Sequence, residues 1–524
     1  MRGTDHLSTQ LTQLSKLKHP LDSASFSRTI LDIRNFLSRT TLQRLLPLSK
    51  VLESLHLLRD FFLLRRGDFA MALIQQADEK IRSRWRRAEN LAYEKREGLG
   101  TVVVKEGEVA AVLVRTWAAI GSMQGEHAEE DEGVELARDL VRLTLARSPR
   151  PLTPMTPAAT EGGLASIAPT PFRNLLFSIP VILTLQIPSP LDLFLSQSDL
   201  QTYTAINSYL LSLRRAHLRL TDLWKITSLR RHHPAPPGPP YGSTRNGREK
   251  VHLLRHRHTA RSRTLRSAWA TASAAIFFLG ETEGYLQMEV VAGLSDGFHQ
   301  WLATGEDNQR EDSQKPISIS SVKPAPDNND DNDDIWLAPN TSKPNNTDNQ
   351  SNSSSSNHPR DPQTLATAHR LFLRTLLRRL LLSQTPFTDP LYELLVHIDH
   401  LVALLHRLHS VWSAADLEAD VGVVDAFVDL EREERDVERE ILGVEGRIKR
   451  GIEGLIGELR RMEADGEDGG DHKGESEEEE AFNMKEMGEY VPRRVGGVDR
   501  LLMKLDFGGW FGGAVEGDGE EELL

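Results

Sequence analysis

Apolar side chains recur every three or four residues through most of this 524-residue chain, and this spacing restricts its folding to helices. One run places its apolar side chains on a single face of an amphipathic helix: Leu45, Leu48, Leu52, Leu55, Leu58 and Phe62. The same spacing predicts further helices at 69–87, 108–123, 133–147, 197–229, 249–279, 281–303, 363–384, 390–413, 422–462 and 495–506. Strand signals are confined to short β-branched segments at 101–104 and 182–185. The predicted fold class is all-α, an elongated bundle of long amphipathic helices with disordered acidic insertions.

The end of the first helix is marked by the sequence Leu-Leu-Arg-Arg-Gly-Asp. Arg65 and Arg66 place cations in the last turn, where they suit the negative end of the helix dipole. Gly67 suits the left-handed conformation that often follows a helix. Asp68 is then predicted to cap the next helix, which begins at Phe69.

Chain length and composition divide the molecule into folded and unfolded parts. A chain of 524 residues exceeds what one compact core usually uses, so we expect two folded bodies or one elongated one. Segments rich in Pro, in Asp, Asn and Ser, or in acids bury too little apolar area to fold: 232–241, 306–362 and 465–480. We predict a helical domain in two parts, at 46–302 and 363–511. The disordered insertion 303–362 separates the parts, and a flexible acidic tail follows at 512–524.

The charges are unevenly spread along the chain. The 76 acids exceed the 63 Lys and Arg residues, a net charge of −13, which argues against a dedicated DNA-binding protein. Between Arg214 and Arg266 there are 14 Lys and Arg against two acids, whereas 416–480 holds 24 acids against nine. This contrast predicts either steering of a partner or masking of one part by the other. The alternative is that both stretches are solvated surface.

No motif points to catalysis. The absence of Cys excludes disulfides, Cys-ligated zinc, iron–sulfur clusters and thiol catalysis. A helix carrying His397, His400, His406 and His409 places two histidine pairs at three-residue spacing, but it lacks the Glu of a zinc-protease motif and an evident third ligand. We therefore predict that the protein is not an enzyme and has no cofactor and no metal. The sequence has no signal-peptide pattern and no apolar stretch of about 20 residues, so we expect a soluble intracellular protein.

Two other functions are compatible with these features. The basic stretch 214–266 contains Trp224 and Tyr241, and Trp269 follows just after it, a combination that RNA-binding proteins use. Long amphipathic helices also occur in scaffolds that tether membranes. The first alternative predicts RNA binding with a steep dependence on salt, and the second predicts liposome or small-GTPase binding.

Five segments, in order along the chain, resemble the γ-tubulin complex component family. They are LLRDFFLLRRGDF at 57–69, the stretch 187–224 with its Tyr-Leu-Leu-Ser-Leu-Arg-Arg, YLQMEVV at 285–291, the leucine-rich helix 369–382 and LLMKLDFGGWF at 501–511. Each segment alone is weakly specific, but five in family order are strong. Their compact spacing is most similar to that of the smallest member of the family.

The resemblance implies a fold, a function and partners. It implies an all-α C-terminal domain that binds γ-tubulin and assembles with other γ-tubulin complex components into a ring that templates microtubules at their minus ends. The implied location is the cytoplasm and cytoskeleton, at a microtubule organising centre such as a centrosome or spindle pole body. No nucleic-acid or membrane partner is implied. Residues 1–45 would be the remnant of an N-terminal helical domain that is otherwise lacking.

The matched segments also supply candidate partner-binding residues. Their apolar members Phe61, Phe62, Leu210 and Leu211 are expected in the core. Their charged members are the better candidates for contacting γ-tubulin or another partner, because Arg beside buried apolar anchors is typical of interface hot spots. These candidates are Arg59, Arg65, Arg66, Asp68, Arg214 and Arg215.

Overall fold

The computed structural model describes residues 46–87, 105–124, 132–146, 171–228, 244–312, 362–421, 429–468 and 490–507, with scattered residues before 46. The helices are α1 (Leu48–Leu57), α2 (Gly67–Arg87), α3 (Glu106–Gln124), α4 (Glu132–Leu140), α5 (Gln197–Ser228), α6 (Arg245–Gly284), α7 (Ala292–Asp312), α8 (Pro362–Arg379), α9 (Thr385–Val421), α10 (Leu430–Asp468) and α11 (Val498–Phe507). Strands β1 (Val141–Leu145) and β2 (Val181–Leu185) form an antiparallel pair. The predicted all-α class is confirmed, since this two-stranded pair is the one sheet in the described residues.

Most predicted helices appear within a few residues of their expected bounds, but the helix predicted at 133–147 is wrong beyond Leu140. The chain there becomes β1, which pairs with β2 in the register Val141 with Leu185 and Leu145 with Val181. Val141 and Leu143 are buried on one side of the strand. The partner strand confirms the predicted strand at 182–185. The other predicted strand, at 101–104, lies outside the described residues.

The helices predicted at 249–279 and 281–303 form one continuous rod. The α6 helix passes through a π-helical segment, Tyr285–Val291, directly into α7. Gly280 lies inside the helix, at a point where α5 packs closely: a Cβ on Gly280 would be 3.6 Å from Cε1 of His217. The predicted helix 363–384 ends earlier, at Arg379, and Leu381 adopts a left-handed φ of 58°.

The junction between α1 and α2 differs from its prediction. After Leu57 the helix widens into a π-helical segment, Leu58–Phe62, and the left-handed residue that follows is Leu64, with φ 58°. Gly67 is instead the first residue of α2, and Asp68 lies within its first turn, where Oδ1 accepts a hydrogen bond from the Phe69 amide at 2.8 Å. The left-handed residue after the helix is therefore Leu64, three positions before Gly67, the residue predicted from the sequence Arg-Arg-Gly. The predicted remnant at 1–45 falls largely outside the described residues.

The core is continuous across the insertion. Phe298 of α7 stacks on Phe372 of α8 with ring centroids 4.9 Å apart, and Tyr490 meets Phe298 edge-on at 5.0 Å. The α9 and α10 helices pack along much of their length, and α10 also packs on α6 and α11. Buried side chains from both parts, 46–302 and 363–505, belong to a single apolar cluster. The segments before and after the insertion thus fold on each other.

The segment 490–497 crosses the rod at Gly293 and Gly297, which have no side chain and so leave room for Val495 and Arg493. A Cβ on Gly297 would lie 3.0 Å from Cβ of Arg493, closer than side chains normally approach. The Tyr285 hydroxyl donates a hydrogen bond to the Gly496 carbonyl at 3.1 Å. Glu289 of the π-helical segment then binds Nζ of Lys504 on α11 at 2.9 Å. These contacts hold α11 against the middle of the rod.

A buried histidine makes the stability of this fold depend on pH. Nε2 of His369 lies 3.0 Å from the Tyr203 hydroxyl, and neither side chain is appreciably exposed. Burial lowers the pKa of His369 to about 4, although the carboxylate of Asp199 opposes this shift. The folded protein therefore binds this proton less readily than the unfolded chain does.

We predict that the free energy of unfolding falls as the pH drops below about 6.5, by about 2 kcal/mol between pH 7 and pH 5 from His369 alone. Urea unfolding across this pH range measures the effect. His369→Gln should flatten the dependence, whereas His409→Gln, on the exposed side of α9, should leave it in place. An equally steep dependence in His369→Gln would contradict the assignment.

Candidate partner-binding site

The first candidate cluster is built on the π-helical end of α1. The π-helical hydrogen bonding frees backbone carbonyls that an α-helix would use, and such segments often mark functional sites. Here the buried amide of Asn207 on α5 donates to the carbonyls of Phe61 and Phe62, both at 3.1 Å. Because these carbonyls are satisfied inside the protein, the irregular end of α1 is fixed against α5.

Arg59 faces α7 from this segment. Its guanidinium binds Asp296 at 2.5 Å, and its side chain is only 12% exposed. One turn earlier the ring of His56 stacks on His299 at 4.8 Å. Arg59 therefore connects α1 to the rod instead of extending into solvent.

The turn after the π-helical segment presents charge at the surface. The side chain of Arg65 is 57% exposed, and its nearest ionic partner is Asp60 at 3.6 Å. Arg66 pairs with Asp68 at 3.1 Å, with side chains 21% and 38% exposed. Burial raises the pKa of Asp60, although the guanidinium of Arg65 opposes the shift. Two guanidiniums and two carboxylates thus lie together at the junction of α1 and α2.

The second candidate cluster lies on α5, where two adjacent arginines point in different directions. Arg214 binds Oε1 of Glu283 on α6 at 2.9 Å and is partly exposed. Nδ1 of His217 is 2.9 Å from the other oxygen of the same carboxylate. This three-residue group joins α5 to the end of α6 and borders solvent.

Arg215 lies inside the bundle, with a side chain 4% exposed. Its guanidinium binds Asp78 of α2 at 3.3 Å and Asp399 of α9 at 2.7 Å. Arg219, one turn later, binds the same two acids at 3.3 and 2.8 Å. Burial raises the pKa of Asp399, but the two guanidiniums outweigh it and hold that pKa below its usual value. Two cations and two anions thus form a closed network that connects three helices.

The sequence did not single out the partners of these arginines. Asp78, Asp399 and Asn207 were not among the candidate residues. The feature of the sequence that could have identified these three residues is a polar side chain on the apolar side of an amphipathic helix. The expectation that Phe61, Phe62, Leu210 and Leu211 are core residues is confirmed by their burial.

The histidines of α9 do not converge on one point. Nε2 of His400 is 3.1 Å from a carboxylate oxygen of Glu440 on α10, and His406 and His409 are exposed. Within the described ranges, no group of three His, Cys, Asp or Glu side chains is arranged to hold a metal ion. A cavity of about 10 Å³ lies between the two strands and α5, which is room for one water at most. Nor does any helix in the described part combine the length and apolarity needed to cross a bilayer.

Comparison with known protein families gives a match over the second part of the chain. Residues 180–511, more than half of the chain, match the family described as gamma tubulin complex component C-terminal. The chain belongs to the γ-tubulin complex component family. The matched span begins at the residue before β2 and includes Arg214, Arg215 and Asp399, whereas the α1–α2 junction lies ahead of it.

Membership of the γ-tubulin complex component family fixes the broad function. Its members are structural scaffolds that associate with other γ-tubulin complex components in microtubule nucleation, and they belong to the cytoskeleton at microtubule organising centres. No curated protein matches this chain.

The buried network generates a stability prediction. Asp399→Asn removes one carboxylate and leaves two buried guanidiniums with a single anion, so we expect a loss of roughly 3–5 kcal/mol in the free energy of unfolding. Urea denaturation measures the loss. The control is Glu393→Gln, which makes the same kind of change on the exposed face of α9 and should alter stability by less than about 0.5 kcal/mol. Similar values for the two variants would contradict a structural role for the network.

Proposed function

We propose that this protein is a γ-tubulin-binding component of the γ-tubulin ring complex and a scaffold for microtubule nucleation at a microtubule organising centre or spindle pole. The observation that carries the proposal is the family match over 180–511, which covers every helix from α5 to α11. These helices share one apolar core with α1 to α3. A rigid body of this kind suits a protein that holds other proteins in a fixed arrangement.

The mechanism is the reduction of an entropic barrier. Free γ-tubulin molecules lose translational and rotational freedom when they assemble side by side. A scaffold that binds each molecule in advance, next to other components of the same ring, raises the effective concentration for lateral assembly. Microtubule growth then begins from a formed template, which stays at the minus end.

The candidate residues take two different roles in this proposal. Arg65, Arg66, Asp68 and Arg214 border solvent and are proposed as partner contacts. Arg59 and Arg215 are proposed as positioning residues, because their guanidiniums are held by Asp296 and by the buried network. The compact spacing of the five matched segments further supports a protein of the component 4 type.

The test is binding to γ-tubulin. We expect the purified protein to co-elute with γ-tubulin at low ionic strength, and less so at high salt, because exposed charge pairs are screened. Arg65→Glu should weaken binding about fivefold to tenfold through charge reversal at the contact. Arg432→Glu, an equal change at an exposed position of α10, should leave binding unchanged.

The two outcomes are separable. Absence of co-elution at low salt would overturn the proposed function. Normal binding by Arg65→Glu would overturn the placement of the contact at the α1–α2 junction and leave the function standing.

A further inference from the structure

Four arginines follow one face of α6 without an acidic partner. They are Arg248, Arg255, Arg263 and Arg266, which we call the basic stripe. Their separations of seven, eight and three residues are close to whole numbers of helical turns, so they lie on one face. All four are exposed, and none forms an ion pair with an acid in the part of the chain that the structure describes. The stripe is about 27 Å long.

The opposite face of the same helix shows how this protein neutralises arginines that it uses internally. Arg257 and Arg261 bind the two carboxylate oxygens of Asp416 at 3.1 and 2.9 Å. Arg261 also lies 5.1 Å from the ring centroid of Trp412. The predicted masking of the basic stretch by the acidic part therefore occurs on the inner face of α6. The guanidiniums of the basic stripe, on the outer face, remain exposed to solvent and accessible to another molecule.

An exposed tryptophan borders the end of the stripe. This residue is Trp224 of α5. Its ring meets the ring of Trp269 edge-on, with ring centroids 5.8 Å apart, and Trp269 lies one turn beyond Arg266 on α6. Trp224 is 70% exposed, although it is one of the largest apolar side chains in the protein. Trp and Arg are the residues most enriched in protein–protein hot spots. This combination distinguishes the stripe from an ordinary solvated helix face.

We propose that the basic stripe, together with Trp224, is a docking surface for an acidic polypeptide segment of another molecule. An extended peptide is only as wide as one helix face, so its carboxylates can reach the guanidiniums without covering neighbouring elements. A nucleic acid fits less well. Glu438 and Glu445 of α10 flank the helix through hydrogen bonds to Thr264 and Ser267. Single-stranded nucleic acid also needs stacking aromatics in succession along the strand, whereas the tryptophans here, Trp224 and Trp269, lie together at one end of the stripe.

The two longest acidic segments of the chain itself start far from the stripe. Residues 313–361 continue from Asp312, which lies 46 residues beyond Arg266 in a continuous helical rod, at about 70 Å. Residues 469–489 continue from Asp468, 30 residues beyond Glu438 on α10, at about 45 Å. An occupant from these segments would have to run back along the bundle over these distances, whereas an acidic segment of a separate molecule can approach the stripe directly.

The experiment measures binding of a labelled oligoglutamate peptide to the full-length protein by fluorescence anisotropy. A peptide of about eight residues spans the stripe when extended. The variant Arg248→Gln/Arg255→Gln/Arg263→Gln/Arg266→Gln should bind it at least about tenfold more weakly, since four exposed ion pairs are lost. Trp224→Ala should weaken binding less. Circular dichroism confirms that the variants fold.

A matched variant controls for net charge. Arg370→Gln/Arg378→Gln/Arg432→Gln/Arg450→Gln removes the same four charges from exposed positions of α8 and α10 and should bind the peptide like the parent protein. Equal weakening in both variants would show a bulk charge effect and overturn the proposal. Tighter binding of single-stranded oligouridine than of oligoglutamate, lost in the stripe variant, would also overturn it and assign the surface to RNA.

Discussion

The buried guanidinium of Arg215, held between Asp78 and Asp399, is the constraint on which the bundle depends. The three residues come from α5, α2 and α9, which are far apart in sequence and lie on both sides of the insertion. A charge inside a protein is tolerated only when opposite charges and hydrogen bonds surround it, so this arginine favours an arrangement in which α2 and α9 both bring an acid to α5. Arg219 completes the network and leaves no excess charge within it.

The backbone departs from regular helix at two places that serve the same purpose. Both π-helical segments, Leu58–Phe62 and Tyr285–Val291, lie where another part of the chain must approach closely. Asn207 satisfies the carbonyls freed in the first segment. Tyr285, in the second, holds the chain that leads into α11. The second segment lies within the span 180–511 that matches the family. A scaffold needs such fixed joints because its function is to keep partners in register.

Apolar spacing was enough to predict the helices and the fold class, but not what depends on distant partners. The sequence from Val134 through Ala137 to Val141 continues a helical pattern, and only pairing with β2 makes its last part a strand. Gly67 was the expected left-handed residue, yet tertiary packing places Leu64 in that conformation. Arg214 and Arg215 are identical in type and adjacent, and the sequence cannot show which of them faces inward. The direction of each side chain is fixed by acids on other helices, 69 to 184 positions away in the sequence.

Residues before and after the insertion form one body with a shared apolar core. A specific protease site introduced between Asp312 and Pro362 tests this, because cleavage there breaks the covalent connection between the two parts. We expect the two fragments of the cleaved protein to elute together in native buffer and to separate only in denaturant. Elution as two independently folded fragments in native buffer would contradict it.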